Sequence, residues 1–193
     1  MGWYEHELGW PVDGSPPGLV TGVRFDALEV PDAAGFAVLS RFSGPDQLGP
    51  VALDGHRIRL LVAAGSAEEL PGLLEWLEWG GIPLDLAAVG AGGRMRAPAH
   101  PDWGRREAAY DRSAPVWLRP PRPGFDVESS VPALHVAGDA DGTGVPIGLP
   151  ALVAALATAC HRITLRAGSQ DQPWAFSYAS RMVAGTRPRS LTS

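Results

Sequence analysis

The sequence predicts an α+β or mixed α/β fold, and three observations carry that expectation. Apolar runs with strand-like alternation recur around turn signals; two segments carry helical periodicity; and the two kinds of segment mix without strict βαβ alternation. The chain has 193 residues, 45% of them apolar, enough to bury a core within one domain. We place that domain at residues 1–183 and expect a disordered tail at 184–193.

Residues 1–18 read as an irregular leader with one packed element. Leu19 to Val30 reads as a strand that Pro31 ends, and Asp32 is placed to cap a short helix, Ala33 to Phe42. Pro50 to Leu53 and Arg57 to Ala63 flank Asp54-Gly55, a hairpin signal. Ser66, followed by Glu68, Glu69 and the stripe Leu70, Leu73, Leu74, Leu77, opens the clearest helix. Trp76 and Trp79, three apart on it, read as core or interface packing.

Leu84 to Pro98, L-D-L-A-A-V-G-A-G-G-R-M-R-A-P, reads as strand, glycine turn and strand. It places Asp85 beside Arg94 and Arg96, which share a strand face because side chains repeat with period two. Ala99 to Ala114 reads as a surface loop, Val116 to Arg119 as a short strand, and Pro120 to Gly124 as a rigid connector. Leu149 to Cys160 reads as an apolar helix and Arg162 to Arg166 as a final strand.

Composition excludes several functions. No stretch approaches 18 uninterrupted apolar residues, so no membrane span is expected. The N-terminus lacks the basic and apolar regions of a signal peptide, and Cys160 has no partner for an internal disulfide, so a cytoplasmic location is expected. All 16 basic residues are arginine, and asparagine is also missing, as expected of a high-GC genome. Without lysine there is no P-loop and no Schiff-base chemistry. A net charge of −5 argues against strong non-specific duplex binding.

Three segments in order resemble one family. G-W-P-V at 9–12, T-G-V-R-F-D-A-L-E-V-P at 21–31 and the 84–98 segment are similar to motifs of the bifunctional primase–polymerase domain of the archaeo-eukaryotic primase superfamily. The resemblance covers roughly residues 9–120, without the tryptophan-rich segment that the family carries after its G-W-P-V strand. It implies a central, mostly antiparallel sheet with packed helices. It also implies acidic residues holding two divalent ions, Mg²⁺ or Mn²⁺, about 3.5–4 Å apart.

Carried over, the resemblance assigns catalytic and metal-binding roles to Glu29 and Asp85. Its remaining acid, two residues beyond Glu29 on the same face, falls on Pro31, which has no ligand atom. Asp26, at i−3 from Glu29, points to the opposite face unless a bulge intervenes, and Asp32 lies just past the strand. The family's R-H-x-Y-F strand reads His56-Arg57-Ile58 here, so its phosphate-binding histidine is displaced. The active site therefore reads as degenerate; no cofactor is assigned with certainty, and Mg²⁺ or Mn²⁺ is expected if catalysis survives.

The candidate nucleotide or nucleic-acid contacts are His56, Arg57, Arg59, Arg94 and Arg96. The arginine pairs read either as a phosphate-binding surface or as a solvated sheet face paired with acids. Cys160 and His161 lack a further ligand set, so Cys160 reads as a buried structural cysteine, and Gly138 to Gly144 as a flexible turn. Three functions are consistent with this sequence. One is a degenerate primase–polymerase-like domain that binds nucleotide, single-stranded nucleic acid or a protein partner. The others are an active metal-dependent nucleotidyltransferase and a protein-interaction or regulatory protein.

Overall fold

Alternating side chains on strands β3 (Asp26–Pro31) and β5 (Arg57–Val62) divide the molecule into two layers. In this computed structural model, Leu28, Val30, Ile58, Leu60 and Val62 point to one side, where they are fully buried. Ala27 and Leu61 point to the other. The structure describes residues 2–44, 47–101, 114–134 and 146–170.

The fold is α+β, with two antiparallel sheets. The larger has five strands in the order β6-β3-β5-β4-β8, where β4 is Val51–Asp54, β6 is Ala87–Val89 and β8 is Val116–Arg119. The smaller has the order β1-β2-β7, from Val12–Asp13, Gly18–Val20 and Arg94–Arg96. Helices α1 (Asp32–Arg41), α2 (Ser66–Trp76) and α3 (Leu149–Gln170) complete the frame. Residues through Ile163 form one compact unit, and Thr164 onward a second, whose described part continues α3 to Gln170.

The first face of the large sheet packs on helices. Leu28, Val30, Val51, Ile58 and Leu60 meet Ala34 and Val38 of α1, Leu70 and Leu73 of α2, and Leu152, Leu156 and Cys160 of α3. Gly35 is required by this packing, because a Cβ there would lie 2.6 Å from the Ile58 side chain. The second face is apolar at one end only. There Ala27, Ala52 and Leu61 pack with Leu19 and Met95 of the small sheet and with Tyr4, Trp10 and Phe25. At the other end this face carries charge: Glu29, Arg57, Arg59 and Asp54.

Several expectations change. The strand expected over Leu19–Val30 is broken after Val20, where Gly22 turns with φ +81°. Leu84–Pro98 is not a self-paired hairpin: β6 pairs with β3, whereas β7 pairs with β2 in the other sheet. The glycine turn between them is clamped by the T-G step. Thr21 Oγ1 donates to the Gly90 carbonyl at 2.6 Å, and a Cβ on Gly22 would sit 2.3 Å from Ala91 Cα. Arg162–Arg166 is helical, because the period that buries Leu152, Leu156 and Cys160 continues through Ile163. Trp76 is 72% exposed, so of the two readings, core or interface packing, it does not fill the core.

The surface loop expected at 99–114, the turn at 138–144, the limit at 183 and the tail at 184–193 lie wholly or largely outside the described residues. Among the described residues no helix is long and apolar enough to cross a membrane.

Candidate functional site: an ion-pair ladder across the large sheet

Antiparallel register builds the site. Glu29 sits directly opposite Arg59, Pro31 opposite Arg57, Ala52 opposite Arg59 and Asp54 opposite Arg57, so these charged side chains share one face. Arg57 Nε donates to Glu29 Oε1 at 3.0 Å, and Arg59 Nε donates to Glu29 Oε2 at 2.9 Å. Each guanidinium then reaches outward: Arg57 donates to Asp85 at 2.6 Å and Arg59 to Asp54 at 2.7 Å. Arg96, on β7 of the small sheet, donates to the other Asp54 oxygen at 2.6 Å.

The result is a continuous ladder, Asp85–Arg57–Glu29–Arg59–Asp54–Arg96, with one carboxylate for each guanidinium. Its centre is half-buried and its ends are open to solvent. Burial pushes the Glu29 carboxyl up, but the hydrogen bonds and charges of Arg59 and then Arg57 outweigh it and hold the group below its ordinary value. Arg57 is the counterpart. Burial disfavours its charge, yet Asp85 and Glu29 raise its pKa further.

Glu29 and Asp85 are thus brought together, on β3 and on the segment entering its neighbour β6. They meet through an intervening guanidinium. Asp85 precedes β6 instead of lying within a strand, and the Cys160 thiol of α3 donates to its backbone carbonyl at 3.4 Å. That thiol is buried and its pKa is pushed up to about 11, first by burial and then by the charge of Asp85, so it stays protonated, as a structural cysteine should.

The two suggested supplementary acids lie elsewhere. Asp26 faces the opposite side, as its i−3 spacing from Glu29 requires, and is completely buried. Its Oδ2 accepts from the Ala67 N–H at 2.9 Å, which makes it the cap of α2 in place of Ser66. Asp32 accepts from its neighbour Ala33 N–H at 2.6 Å and pairs with His56 at 3.2 Å. Among the described residues no three His, Cys, Asp or Glu side chains are grouped so as to hold a metal ion.

The phosphate-binding candidates divide similarly. His56 is almost wholly exposed beside the β4–β5 turn, and Arg94 is drawn to Asp13 at 2.8 Å, away from the ladder. Arg57, Arg59 and Arg96 belong to the ladder. Sequence reasoning missed Asp54, which joins the two sheets through Arg59 and Arg96. Its signal was parity, since period two puts it on the Ala52 face, opposite the arginines. No family model, no curated protein and no solved structure matches this chain.

Proposed function

We propose that the chain is a primase–polymerase-like domain that has lost catalysis and works by binding a protein partner. The kinship rests on the order of the three sequence motifs. Glu29 and Asp85 occupy the positions that the resemblance gives to metal ligands. The single observation that carries the loss of catalysis is the ladder. Both carboxylates are engaged by Arg57, and neither Asp26 nor Asp32 joins them. A two-metal mechanism needs several anionic oxygens converging on open space. Here a guanidinium fills that space.

The ladder also argues against nucleic acid as the partner. Such affinity depends on cations that neutralise phosphates and release counterions, and each ladder guanidinium already has its own carboxylate. A protein partner is favoured by Trp76 and Ile82, which lie exposed at and just beyond the end of α2. Aromatic anchors of that kind dominate protein interfaces.

A priming and primer-extension assay with labelled nucleotides, in Mg²⁺ and in Mn²⁺, tests the reading. No incorporation above background is expected. Incorporation abolished by Glu29→Gln would establish an active nucleotidyltransferase instead. Fluorescence anisotropy with single-stranded DNA at low salt should show no binding. Salt-sensitive binding lost on joint Arg94→Ala and Arg96→Ala substitution would restore nucleic acid as the ligand.

A further inference from the structure

Helix α2 turns one side inward and leaves the other bare. Leu70 and Leu73 are buried in the core. Glu68, Glu69, Gly72, Glu75 and Trp76, which the helical period gathers on the opposite side, are exposed. Glu78 and Ile82, just past the last turn, are exposed as well. Three features determine what this face can take.

Its charge has one sign and is not neutralised. Among the described residues Glu68, Glu69, Glu75 and Glu78 enter no ion pair, whereas the sheet acids Asp13, Glu29, Asp54 and Asp85 each hold an arginine. No basic residue stands in the last turn of α2, where the negative end of the helix dipole adds to Glu75 and Glu78. Second, Trp79 packs edge-on against His161 of α3, with ring centres 5.6 Å apart, while Trp76 projects outward. The Ile82 N–H donates to the Trp79 carbonyl at 3.0 Å, which holds this exposed isoleucine at the same end of the helix. Third, a Cβ on Gly72 would meet nothing within 4 Å, so packing does not ask for glycine there, at a helix position where it is unfavourable. Gly72 leaves a low saddle between Glu68 and Trp76, over which another backbone can approach closely.

We propose that this face of α2 docks a basic amphipathic helix from a partner protein. Its arginines or lysines meet the four carboxylates, and its apolar edge lies on Trp76 and Ile82. A cation placed over the Trp76 ring gains a further attraction. The chain's net charge of −5 steers such a partner toward it. Nucleic acid is repelled by the same carboxylates, and a second copy docked through this face would set acid against acid. The proposal rests on the reading that this chain binds a protein, and adds the charge and shape of that protein.

Fluorescence anisotropy of the full chain with a labelled helical peptide built of leucine and lysine tests it. The peptide should bind with a Kd below about 100 μM, and a counterpart with glutamate for lysine at least about tenfold more weakly. Trp76→Ala, and the joint change Glu69→Gln with Glu75→Gln, should each weaken binding about tenfold. These side chains are exposed, so the melting temperature should not move. Joint Glu5→Gln and Glu7→Gln removes the same charge from the N-terminal turn, which packs through Tyr4 on the other face of the large sheet, and should change binding less than about twofold. Failure of the lysine peptide to bind overturns the proposal, as does binding that the α2 variants leave unchanged or that the Glu5 and Glu7 changes weaken equally. A glutamate peptide that binds as tightly and is lost on Trp76→Ala also overturns it, but leaves the protein-partner reading standing. That reading itself falls only to nucleotide incorporation or to salt-sensitive DNA binding.

Discussion

Asp26 shows what a single carboxylate does when it leaves water. It is fully buried and its Oδ1 has no hydrogen-bond partner, while Oδ2 accepts from Ala67. Burial raises its pKa; the Ala67 N–H opposes the rise and the charge of Glu68 adds to it. A carboxyl whose folded value is raised stabilises the fold most fully below its unfolded value of 3.8, and that contribution is lost as pH climbs through the folded value. Asp26→Asn keeps an acceptor for Ala67 and removes the buried charge. At pH 7 the variant should therefore melt about 2–4 °C higher than the parent, an advantage that thermal melts should show vanishing toward pH 4. Asp26→Ala, which removes the cap, should instead cost about 1 kcal/mol. The parity of Asp26 was legible in the sequence, since i−3 on a strand reverses the face. Its partner was not, because Ala67 lies 41 residues away and only the packing of α2 on β3 brings it there.

At the scale of elements, the ladder is a property of register. Glu29 bonds to two guanidiniums, and its side chain is only 20% exposed. Glu29→Gln removes the charge and leaves Arg57 and Arg59 sharing a neutral amide, which should cost about 2 kcal/mol in urea unfolding at pH 7. A double-mutant cycle with Arg59→Met should return an interaction energy of about 1–2 kcal/mol, whereas the same cycle between Glu29 and the remote Arg94 should return none. Because the carboxyl is held below its ordinary value of 4.5, its contribution is complete above that value and disappears as pH falls through the folded one. The gap between parent and Glu29→Gln should therefore close on acidification below about pH 4.5. Parity on β3 and β5 made Glu29, Arg57 and Arg59 legible as charged members of strands that are otherwise apolar. What parity could not supply was pairing. The 84–98 segment looked like a hairpin because glycines separate two strands, but its halves join different sheets. Arg96 therefore reaches Asp54, while Arg94 turns to Asp13.

At the largest scale, the question is whether the two described sheets, with α1, α2 and α3, frame a metal cleft or fill one. The class of the fold was legible from mixed strand and helix periodicity, and one face of the large sheet from the apolar positions of β3 and β5. The second face was not, because its apolar half is covered by short strands whose partners are distant in sequence, Leu19 on Met95 among them. That cover, with Arg96 reaching over Asp54, leaves the charged half occupied by its own counter-ions. The consequence is measurable without any assay of activity. A ligand that binds only the folded state raises stability by RT ln(1 + [L]/Kd), about 2.7 kcal/mol at a hundredfold excess over Kd. A magnesium- or manganese-binding cleft of about 10 μM affinity would thus raise the melting temperature by about 5–10 °C in 1 mM metal. With Glu29 and Asp85 on Arg57, Asp54 on Arg59 and Arg96, Asp26 on Ala67 and Asp32 on His56, no rise above about 1 °C is expected from either ion. Arg57→Ala is the decisive comparison, since it removes the guanidinium between Glu29 and Asp85, freeing Asp85 and one Glu29 oxygen while Arg59 keeps the other. If that variant acquires a manganese-dependent rise that the parent lacks, the arginine is what excludes the metal. If the parent already shows one, the carboxylates exchange their guanidinium for the ion, and the ladder is a resting state of a working metal site.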